Sequence, residues 1–344
     1  MGVNIKDIII THPIEIKELN NKILAVDGYN LLYQFLTTIR GPDGSPLQDS
    51  HGRVTSHLQG LFSRTSRLIT SGVKLIFVFD GEPPALKRKE LDSRRKIKEE
   101  AREAYNQATE AGDIESMKKY GGRFSYLTKD MAEEAKRLVT AMGQPVVQAP
   151  SEGEAQMAEL VRCGEAWAGV SQDYDSLLYQ APRLVRNLSI QGRRKLPGKA
   201  GWKTVEPEFL DLKENLGGLG LTDDQLLCLA ILVGTDYNPG GLKGIGPKKA
   251  LDHVRNAGKD HPHTVFDALE FDTKSEVPWK QIWDTFKTMP VLTEHAIKWG
   301  APDEEAIRRL LVTEHQFSAE RVESTIAEFS KHLVNKKQKS LGDF

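Results

Sequence analysis

A continuous apolar run at residues 73–79, VKLIFVF, sets the strongest limit on the fold. A run without polar alternation is typical of a strand that is buried on both faces, as in parallel sheets covered by helices. Strand-like runs also occur at 22–26, 145–148 and 167–170. Helix-like segments separate them, at 28–40, 55–71, 128–142 and 154–163. This alternation predicts an α/β fold with a central, mostly parallel, twisted sheet.

The second half of the chain is less clearly patterned. No strand or helix is predicted between 171 and 225, whereas 226–233 has the composition of a buried helix. A Gly/Lys loop at 240–250 opens another helix, and further helices are expected up to about residue 334. Residues 335–344 are expected to form a mobile tail.

Length and composition exclude several classes of protein. The 344 residues suffice for a large domain or two small ones, and the longest apolar run, 226–233, is too short to span a bilayer. The N-terminus lacks the apolar stretch of a signal peptide. Cys163 and Cys228 stand alone, which argues against a disulfide framework and predicts an intracellular, reducing location. The 47 Lys and Arg against 48 Asp and Glu exclude a simple basic coat for nucleic acid.

Aspartates follow three of the predicted strands. Asp27 comes directly after the first strand, Asp80 directly after VKLIFVF, and Asp173 shortly after the strand at 167–170. Ligands of open α/β sheets bind at the carboxyl ends of the strands. The three carboxylates are therefore expected to converge on one edge of the sheet.

Four more acids lie near these positions: Glu152 and Glu154 in PSEGEA, Asp175 in QDYD and Asp236 in GTDY. Each acid taken alone is about as well explained by helix capping, since Asp27 precedes a helix and Ser151 with Glu154 has the spacing of a capping box. Capping does not explain seven acids together, because clustered carboxylates repel one another unless cations lie among them.

Hard divalent cations suit a site made only of oxygen ligands. Two Mg²⁺ ions about 4 Å apart can activate water and stabilise the leaving oxygen of a phosphodiester. No Ser/His/Asp or Cys/His pattern competes for the catalytic role, and the nine His residues are scattered.

The motifs that carry these acids resemble, in order, those of the structure-specific 5′ nucleases, in particular the flap endonucleases of archaeal and eukaryotic type. They are VDGYNLLYQF, FVFDGEPPALK, APSEGEAQMA, SQDYDSLL, VGTDYNPGGLKGIGPKKA and QKSLGDF, and they cover essentially the whole chain. The resemblance implies a PIN-like nuclease core and Mg²⁺-dependent cleavage of 5′-flap DNA near the single/double-strand junction, with Mn²⁺ as a substitute. It also implies 5′-3′ exonuclease activity and a role in DNA replication (removal of RNA primers) and repair.

Carried over residue by residue, the resemblance assigns a role to each matching position. The metal-site acids are Asp27, Asp80, Glu152, Glu154, Asp173, Asp175 and Asp236, of which Asp80 and Glu152 are also counted as catalytic. Lys87 and Arg94 become active-site cations, and Tyr33 a stacking partner for a base.

The physics of the two cations does not depend on the family. On a continuous helix, Lys87 and Arg94 share a face two turns apart, beside Asp80. Cations there can hold a phosphate as negative charge develops on it. For Lys98, as for Arg88, Lys89 and Arg95, a solvated helix face explains the charge at least as well. Without the family, Tyr33 would be read as core packing.

The charged stretch from 85 to 122 is poor in large apolar residues, which suggests a lid or binding segment. In the family it is a helical arch, about 85–125, through which the 5′ strand threads. It divides a single nuclease domain, 1–334, into an N-terminal part to about 84, an internal part of about 126–258 and C-terminal helices of about 259–334. The excision-repair branch has a far longer insertion here.

The loop GLKGIGPKKA can bind a phosphate. Gly244 and Gly246 allow a tight turn, and the backbone N–H groups at the following helix start can contact phosphate oxygens. Lys243, Lys248 and Lys249 add salt-sensitive attraction, although an ordinary connection between helices remains the alternative. In the family this is a helix-hairpin-helix type element that binds duplex DNA without reading sequence.

The C-terminal QKSLGDF resembles a peptide that binds the sliding clamp, with Gln338, Leu341 and Phe344 as anchors. The usual pattern ends in two aromatic residues, whereas here a single Phe ends the motif.

Two alternatives to a flap endonuclease stay open from the sequence. One is a related 5′ nuclease that acts on other branched DNA or on RNA-containing substrates. The other is a catalytically silent protein that binds DNA junctions, although phosphate binding gains nothing from seven carboxylates. We expect a monomer with no membrane association.

Overall fold

A mixed sheet brings the predicted strands side by side. In this computed structural model, which describes residues 2–41, 44–121, 126–188, 192–195 and 202–341, β3 (Lys74–Phe79) lies between β2 (Ile23–Asp27) and β4 (Val146–Gln148). β5 (Ala168–Val170) pairs with the other side of β2, and all of these pairings are parallel. The expectation of an α/β fold with a mostly parallel sheet is confirmed.

The sheet continues into strands that were not predicted. β6 (Arg183–Arg186) extends the parallel set, and β9 (Glu208–Asp211) and β1 (His12–Pro13) then add antiparallel strands. Within the described residues the strand order is β1-β9-β6-β5-β2-β3-β4. A separate ribbon pairs β7 (Gly192–Lys195) with β8 (Trp202–Val205).

Burial on both faces explains the apolar run of β3. Leu75, Phe77 and Phe79 enter one hydrophobic cluster, and Ile76 and Val78 enter the cluster on the opposite face. Side chains alternate between the two faces of a strand, so every residue of such a strand must be apolar when helices cover both faces.

Helices cover both faces of the sheet. One face carries α1 (Gly28–Thr38), α2 (Ser56–Thr70), α5 (Lys129–Ala141), α14 (Glu304–Arg308), a π-helical turn (Arg309–Glu314) and α15 (Ala319–Leu341). The other carries α6 (Gly153–Arg162), α7 (Asp175–Leu178), α8 (Leu212–Leu219), α9 (Asp223–Val233), α10 (Pro247–Ala257), α11 (Thr264–Ala268), α12 (Phe271–Lys274) and α13 (Trp279–Lys287). The helices predicted at 55–71, 128–142 and 154–163 are therefore present.

Local capping fixes where several helices begin. Thr128 accepts a hydrogen bond from the backbone N–H of Met131 at the start of α5. Thr222 and Gln225 form a reciprocal capping box at α9. Each cap satisfies backbone donors that the first turn of a helix leaves without a partner.

The charged stretch that begins at residue 85 is helical. A 3₁₀ turn (Ala85–Lys87) leads into α3 (Arg88–Glu110), and α4 (Ile114–Gly121) packs back against it. Between them Gly112 has a φ of +68°, a conformation that glycine adopts without strain. Residues 122–125, the end of the predicted arch, lie outside the described residues.

The last helix is longer than expected. α15 continues to Leu341, so residues 335–341 of the predicted mobile tail are helical. The amphipathic pattern of the helix ends near 334, but lysine, glutamine and leucine favour helix and permit its continuation.

In the part of the chain that the structure describes, no single helix is long and apolar enough to cross a membrane. Among these same residues only α8 and α9 taken together pass that test, and they meet at an angle of 80°.

Candidate active site

The carboxyl ends of three neighbouring strands carry the three aspartates. Asp27 ends β2, Asp80 follows β3, and Asp173 follows β5. Because these strands are parallel and adjacent, their carboxyl ends meet at one edge of the sheet. All three aspartates line one cleft of about 770 Å³ there.

The cleft collects the other predicted acids as well. Its lining includes six of the seven: Asp27, Asp80, Glu152, Glu154, Asp173 and Asp236. Asp175 lines an adjoining cavity of about 10 Å³, together with Glu152, Glu154 and Asp236. We call these seven residues the acid centre.

Asn30, which sequence reasoning missed, links two of these acids. Its backbone N–H donates to Asp27 Oδ1 (2.9 Å), so Asp27 does cap α1 as its alternative interpretation required. The Asn30 side chain donates to Asp173 Oδ2 (2.9 Å) and accepts from the N–H of Gln172 (3.2 Å). Nothing in the sequence distinguishes this asparagine from an ordinary residue in the first turn of a helix.

The alternative interpretation of Ser151 and Glu154 as a capping box at α6 is wrong. Ser151 donates its hydroxyl hydrogen bond to the carbonyl of Glu82 (2.7 Å), and Glu152 occupies the N-cap position without a capping hydrogen bond. The backbone N–H of Gly153 instead donates to Asp80 Oδ1 (2.7 Å). A Cβ at Gly153 would overlap that carboxylate, so the close approach requires glycine. The glutamates Glu152 and Glu154 point into the cleft instead of capping the helix.

The N-terminal segment also reaches the acid centre, which the sequence did not indicate. The backbone N–H of Val3 donates to Asp175 Oδ1 (2.7 Å), and that of Gly2 to Asp173 Oδ1 (3.3 Å). A Cβ on Gly2 would overlap the Asp175 carboxylate. Gly2 and Val3 therefore help to hold these two acids in place.

Burial and mutual repulsion make the acids hard to ionise. Burial, reinforced by the Asp80 carboxylate, raises the pKa of Asp27 to about 8, and burial with Asp236 raises the pKa of Asp175 to about 7. Burial also raises the pKa of Asp80 and Glu152, and that of Glu154 strongly. A positive charge bound among these carboxyl groups stabilises their ionised form.

Two cations, Lys87 just before α3 and Arg94 within it, supply part of that charge. Lys87 Nζ lies 2.5 Å from Glu152 Oε2 and 3.3 Å from Asp236 Oδ2. Arg94 donates to Asp236 Oδ1 (3.0 Å) and pairs with Glu90. Lys87 precedes α3, whereas Arg94 lies inside it. The two residues therefore do not lie on one continuous α-helix, contrary to expectation. Both side chains still reach Asp236. Burial alone would lower the pKa of Lys87, but the carboxylates around it, Glu152 foremost, outweigh burial and raise it.

Tyr33 lies at the side of the cleft, half-buried, beside a lysine that was expected to be solvated. Lys98 Nζ lies 4.4 Å from the centre of the Tyr33 ring and 5.6 Å from that of Tyr126. Burial, and then the nearby Arg94, lowers the pKa of Lys98. The solvated interpretation is therefore wrong for Lys98, because its charge is held between two aromatic rings.

The solvated interpretation fits the other three residues for which it was considered, Arg88, Lys89 and Arg95. Lys89 pairs with Glu276 at 2.8 Å and Arg95 with Glu99 at 3.0 Å, with both lysine and arginine largely exposed. Arg88 is exposed as well.

The glycine-rich loop connects α9 to α10 directly after Asp236. Gly244 has a φ of +85°, Gly246 is the N-cap of α10, and Pro247 is its first residue. Lys243, Lys248 and Lys249 are exposed, and Lys249 donates to the carbonyl of Gly244 (3.1 Å). The loop thus presents basic side chains and a helix start on one surface segment.

Gln338 and Leu341 lie in the last turns of α15, and Phe344 lies outside the described residues.

Another group of possible ligand atoms, from Cys163, Glu165 and His295, lies within 4.8 Å of one another. Gln156 is fixed by accepting from the N–H of Leu292 (2.7 Å) and donating to its carbonyl (3.0 Å), and its amide nitrogen faces His295 Nε2 at 2.9 Å. His295 Nδ1 lies 3.2 Å from Glu165 Oε2, without hydrogen-bond geometry between the two atoms. This group combines a thiol, an imidazole and one carboxylate, which is not the all-oxygen donor set that Mg²⁺ prefers.

The acid centre, in contrast, fits hard divalent cations. It offers only carboxylate oxygens, and the burial that raises the pKa of these acids rewards a bound cation.

Comparisons with known proteins identify the family. The XPG N-terminal domain model matches residues 2–101, and the XPG I-region model matches residues 143–236. Flap endonuclease 1 of Staphylothermus marinus is 49% identical over 349 residues, covering 99% of this chain and 98% of that protein. Flap endonuclease 1 of Pyrococcus furiosus is 49% identical over 341 residues, with the same coverage.

Solved structures show the same fold. Flap endonuclease-1 from Methanococcus jannaschii superposes with a TM-score of 0.76 at 41% identity, covering 97% of this chain and 100% of that one. The catalytic core of Rad2 in complex with DNA substrate, at 24% identity, has a TM-score of 0.66 and covers 93% and 96%. The expected PIN-like nuclease fold is confirmed, and the chain belongs to the flap endonuclease 1 family of structure-specific nucleases.

Proposed function

We propose that the acid centre holds two Mg²⁺ ions, replaceable by Mn²⁺, and hydrolyses a phosphodiester of 5′-flap DNA near the single/double-strand junction. The observation that carries the proposal is that seven carboxylates line one cleft and its adjoining cavity at the carboxyl ends of the strands. Lys87 and Arg94 both contact Asp236 there. When bound, such ions activate a water and stabilise the leaving oxygen. The same geometry accommodates 5′-3′ exonuclease cleavage at a DNA end.

The protein's own groups orient the substrate. Lys87 and Arg94 contact phosphate oxygens as negative charge develops, which exchanges carboxylate partners for a phosphate. Tyr33 stacks on a base next to the scissile phosphate, and Lys98 leaves its ring face when the base arrives. α3 and α4 form the arch, about 85–125, that receives the 5′ strand.

Basic surface segments bind the rest of the substrate. The helix start after Gly244 and Gly246, with Lys243, Lys248 and Lys249 around it, binds a phosphate of the duplex. Phosphate contacts carry no sequence information, so selection depends on the branched shape of the DNA. The catalytic core of Rad2, solved in complex with DNA substrate, supports a DNA-bound arrangement of this fold.

The C-terminal peptide is proposed to bind a sliding clamp through Gln338, Leu341 and Phe344. Lys336, Lys337 and Lys339 surround these anchors and add positive charge to the segment. Clamp binding would place the nuclease at replication sites in the cell, where a monomer suffices for primer removal and repair.

A panel of labelled DNAs tests the proposal. The substrates are a 5′ flap, a 3′ flap, a nick, a Holliday junction, a single strand and a 5′ flap with an RNA tip, each with Mg²⁺ and with chelator. We expect Mg²⁺-dependent cleavage with a preference for the 5′ flap. Equal cleavage in chelator would refute the metal site, and a preference for the Holliday junction or RNA would favour the related-nuclease alternative.

A further inference from the structure

We propose that a hydrogen-bonded pair of tyrosines, Tyr179 and Tyr237, positions the acid centre and sets its affinity for divalent ions. This inference rests on the metal site proposed above. The two hydroxyl oxygens lie 2.7 Å apart. Both side chains are buried, with 7% of Tyr179 and 3% of Tyr237 exposed. Neither residue has a role in the chemistry described so far.

The pair joins two segments that carry acids. Tyr179 is the C-cap of α7, the short helix that Asp175 begins, and Tyr237 follows Asp236 directly. The hydrogen bond thus connects segments 58 positions apart in sequence. Phe286 of α13 packs on both rings, with centroids 5.1 Å from Tyr179 and 4.9 Å from Tyr237. A shift of either acid-bearing segment would have to break this contact.

The number of hydroxyl protons indicates that one of the two hydroxyls donates a hydrogen bond toward the acids. Two paired hydroxyls have two protons, and only one of them lies in the bond between the oxygens. The other proton needs an acceptor, because buried polar groups are seldom left without one. The cavity of about 10 Å³ that both tyrosines line is otherwise lined by Lys87, Phe286 and the carboxylates Glu152, Glu154, Asp175 and Asp236. We assign this second proton to Tyr237, which donates to these carboxylates through the single water that such a volume admits.

A neutral donor suits this position. A tyrosine hydroxyl has an ordinary pKa of about 10, so both hydroxyls are protonated at neutral pH. A hydroxyl hydrogen bond fixes the orientation of a ligand carboxylate and leaves its other lone pairs for a cation. Unlike Lys87, a hydroxyl brings no charge that competes with the ion. Such outer contacts are typically worth about 10- to 100-fold in metal affinity.

Phenylalanine variants test the pair with a readout other than cleavage. Binding of Mn²⁺ to Tyr237→Phe, Tyr179→Phe and the double variant is measured without DNA, next to the Mg²⁺ dependence of flap cleavage. We expect Tyr237→Phe to weaken Mn²⁺ binding and raise the half-saturating Mg²⁺ concentration by about 10- to 100-fold. Cleavage at saturating Mg²⁺ should stay within a few-fold of the original. Since the pair acts as a unit, the double variant should be no weaker than Tyr237→Phe.

Tyr174→Phe is the matched control. It also deletes a buried tyrosine hydroxyl, between Asp173 and Asp175, but that hydroxyl accepts a hydrogen bond from Arg186. Unchanged Mn²⁺ affinity in Tyr237→Phe, or an equal loss in Tyr174→Phe, would overturn the inference. If Tyr237→Phe does not fold by circular dichroism, unchanged affinity in Tyr179→Phe overturns it instead. Cleavage by the unsubstituted protein in chelator would refute the metal site itself, a separate outcome.

Discussion

Lys87 Nζ lies 2.5 Å from Oε2 of Glu152, in a contact where only 14% and 6% of the two side chains are exposed. The ammonium group of Lys87 therefore pairs with Glu152, a carboxylate that is a proposed ligand of a divalent ion. In a buried site such a charge pair is strong enough to hold both side chains in place. In the proposed mechanism, this pair separates when substrate phosphate binds Lys87 and a metal ion binds Glu152.

Lys87→Met should separate the contribution of Lys87 to cleavage from its competition with the metal ion. We expect single-turnover cleavage of a 5′ flap to fall by about 100- to 1,000-fold, the typical loss for a donor that stabilises developing charge. The half-saturating Mg²⁺ concentration should not rise, because a competitor of the ion has been removed. Lys89→Met, which alters an exposed lysine paired with Glu276, should stay within about twofold. A rise in the Mg²⁺ requirement of Lys87→Met would contradict this account.

The raised pKa values predict how stability depends on pH. The folded, metal-free chain keeps protons on Asp27 (pKa about 8) and Asp175 (pKa about 7) at pH values where the unfolded chain has released them. The folded state then binds more protons, so these groups make the free energy of unfolding fall as the pH rises from about 4 to 8. Asp27→Asn should remove up to about 1.4 kcal/mol per pH unit of that slope, measured by urea unfolding in chelator. An unchanged slope would show that Asp27 is ionised in the folded protein.

Substitution at Gly2 tests the N-terminal contact. Gly2→Ala would force its Cβ into the Asp175 carboxylate, displacing a ligand of the proposed metal site. Flap cleavage at low Mg²⁺ should fall by about 10- to 100-fold. Gly217→Ala is the control, because Gly217 lies in α8 and a Cβ added there would meet nothing within 4 Å, so this variant should cleave normally. Equal activity of the two variants would remove Gly2 from the site.

The ring of Tyr33 should matter more than its hydroxyl. Tyr33→Phe keeps the face on which Lys98 now lies and a base is proposed to stack, whereas Tyr33→Leu removes it. We expect Tyr33→Leu to lower the single-turnover rate by about 10- to 100-fold, since stacking on an aromatic ring is worth about 1–3 kcal/mol per base. Tyr33→Phe should remain within about threefold. Equal losses would assign the effect to the hydroxyl and not to stacking.

The position of the aspartates at the carboxyl ends of the strands was predictable because it follows from the local sequence pattern. An aspartate directly after an apolar strand, as at Asp27 and Asp80, is placed by β-periodicity and parallel topology alone. The strands β6, β9 and β1 were missed because none of them has a continuous apolar run: β6 and β9 carry charged residues at both ends, and β1 has only two residues. Their pairing joins His12 to Phe209, a contact between distant segments that no local pattern reveals.

The contacts between distant segments were likewise hidden. Ser151 and Glu154 have the spacing of a capping box, yet Ser151 donates to the carbonyl of Glu82, which tertiary packing brings alongside. Gly2 lies against Asp175, and the N–H of Val3 donates to the same carboxylate, although these residues are more than 170 positions apart in sequence. Residue types predict what a site can do, whereas orientation depends on partners that are remote in sequence.

Cleavage by Asp80→Ala is the most direct test of the acid centre. The variant is compared with the unsubstituted protein in single-turnover cleavage of a 5′ flap with Mg²⁺, and flap binding is measured in parallel. We predict that cleavage is abolished while binding of the flap remains measurable, because the arch and the basic loop are intact. Near-full cleavage by Asp80→Ala would contradict the assignment of the acid centre as the catalytic metal site.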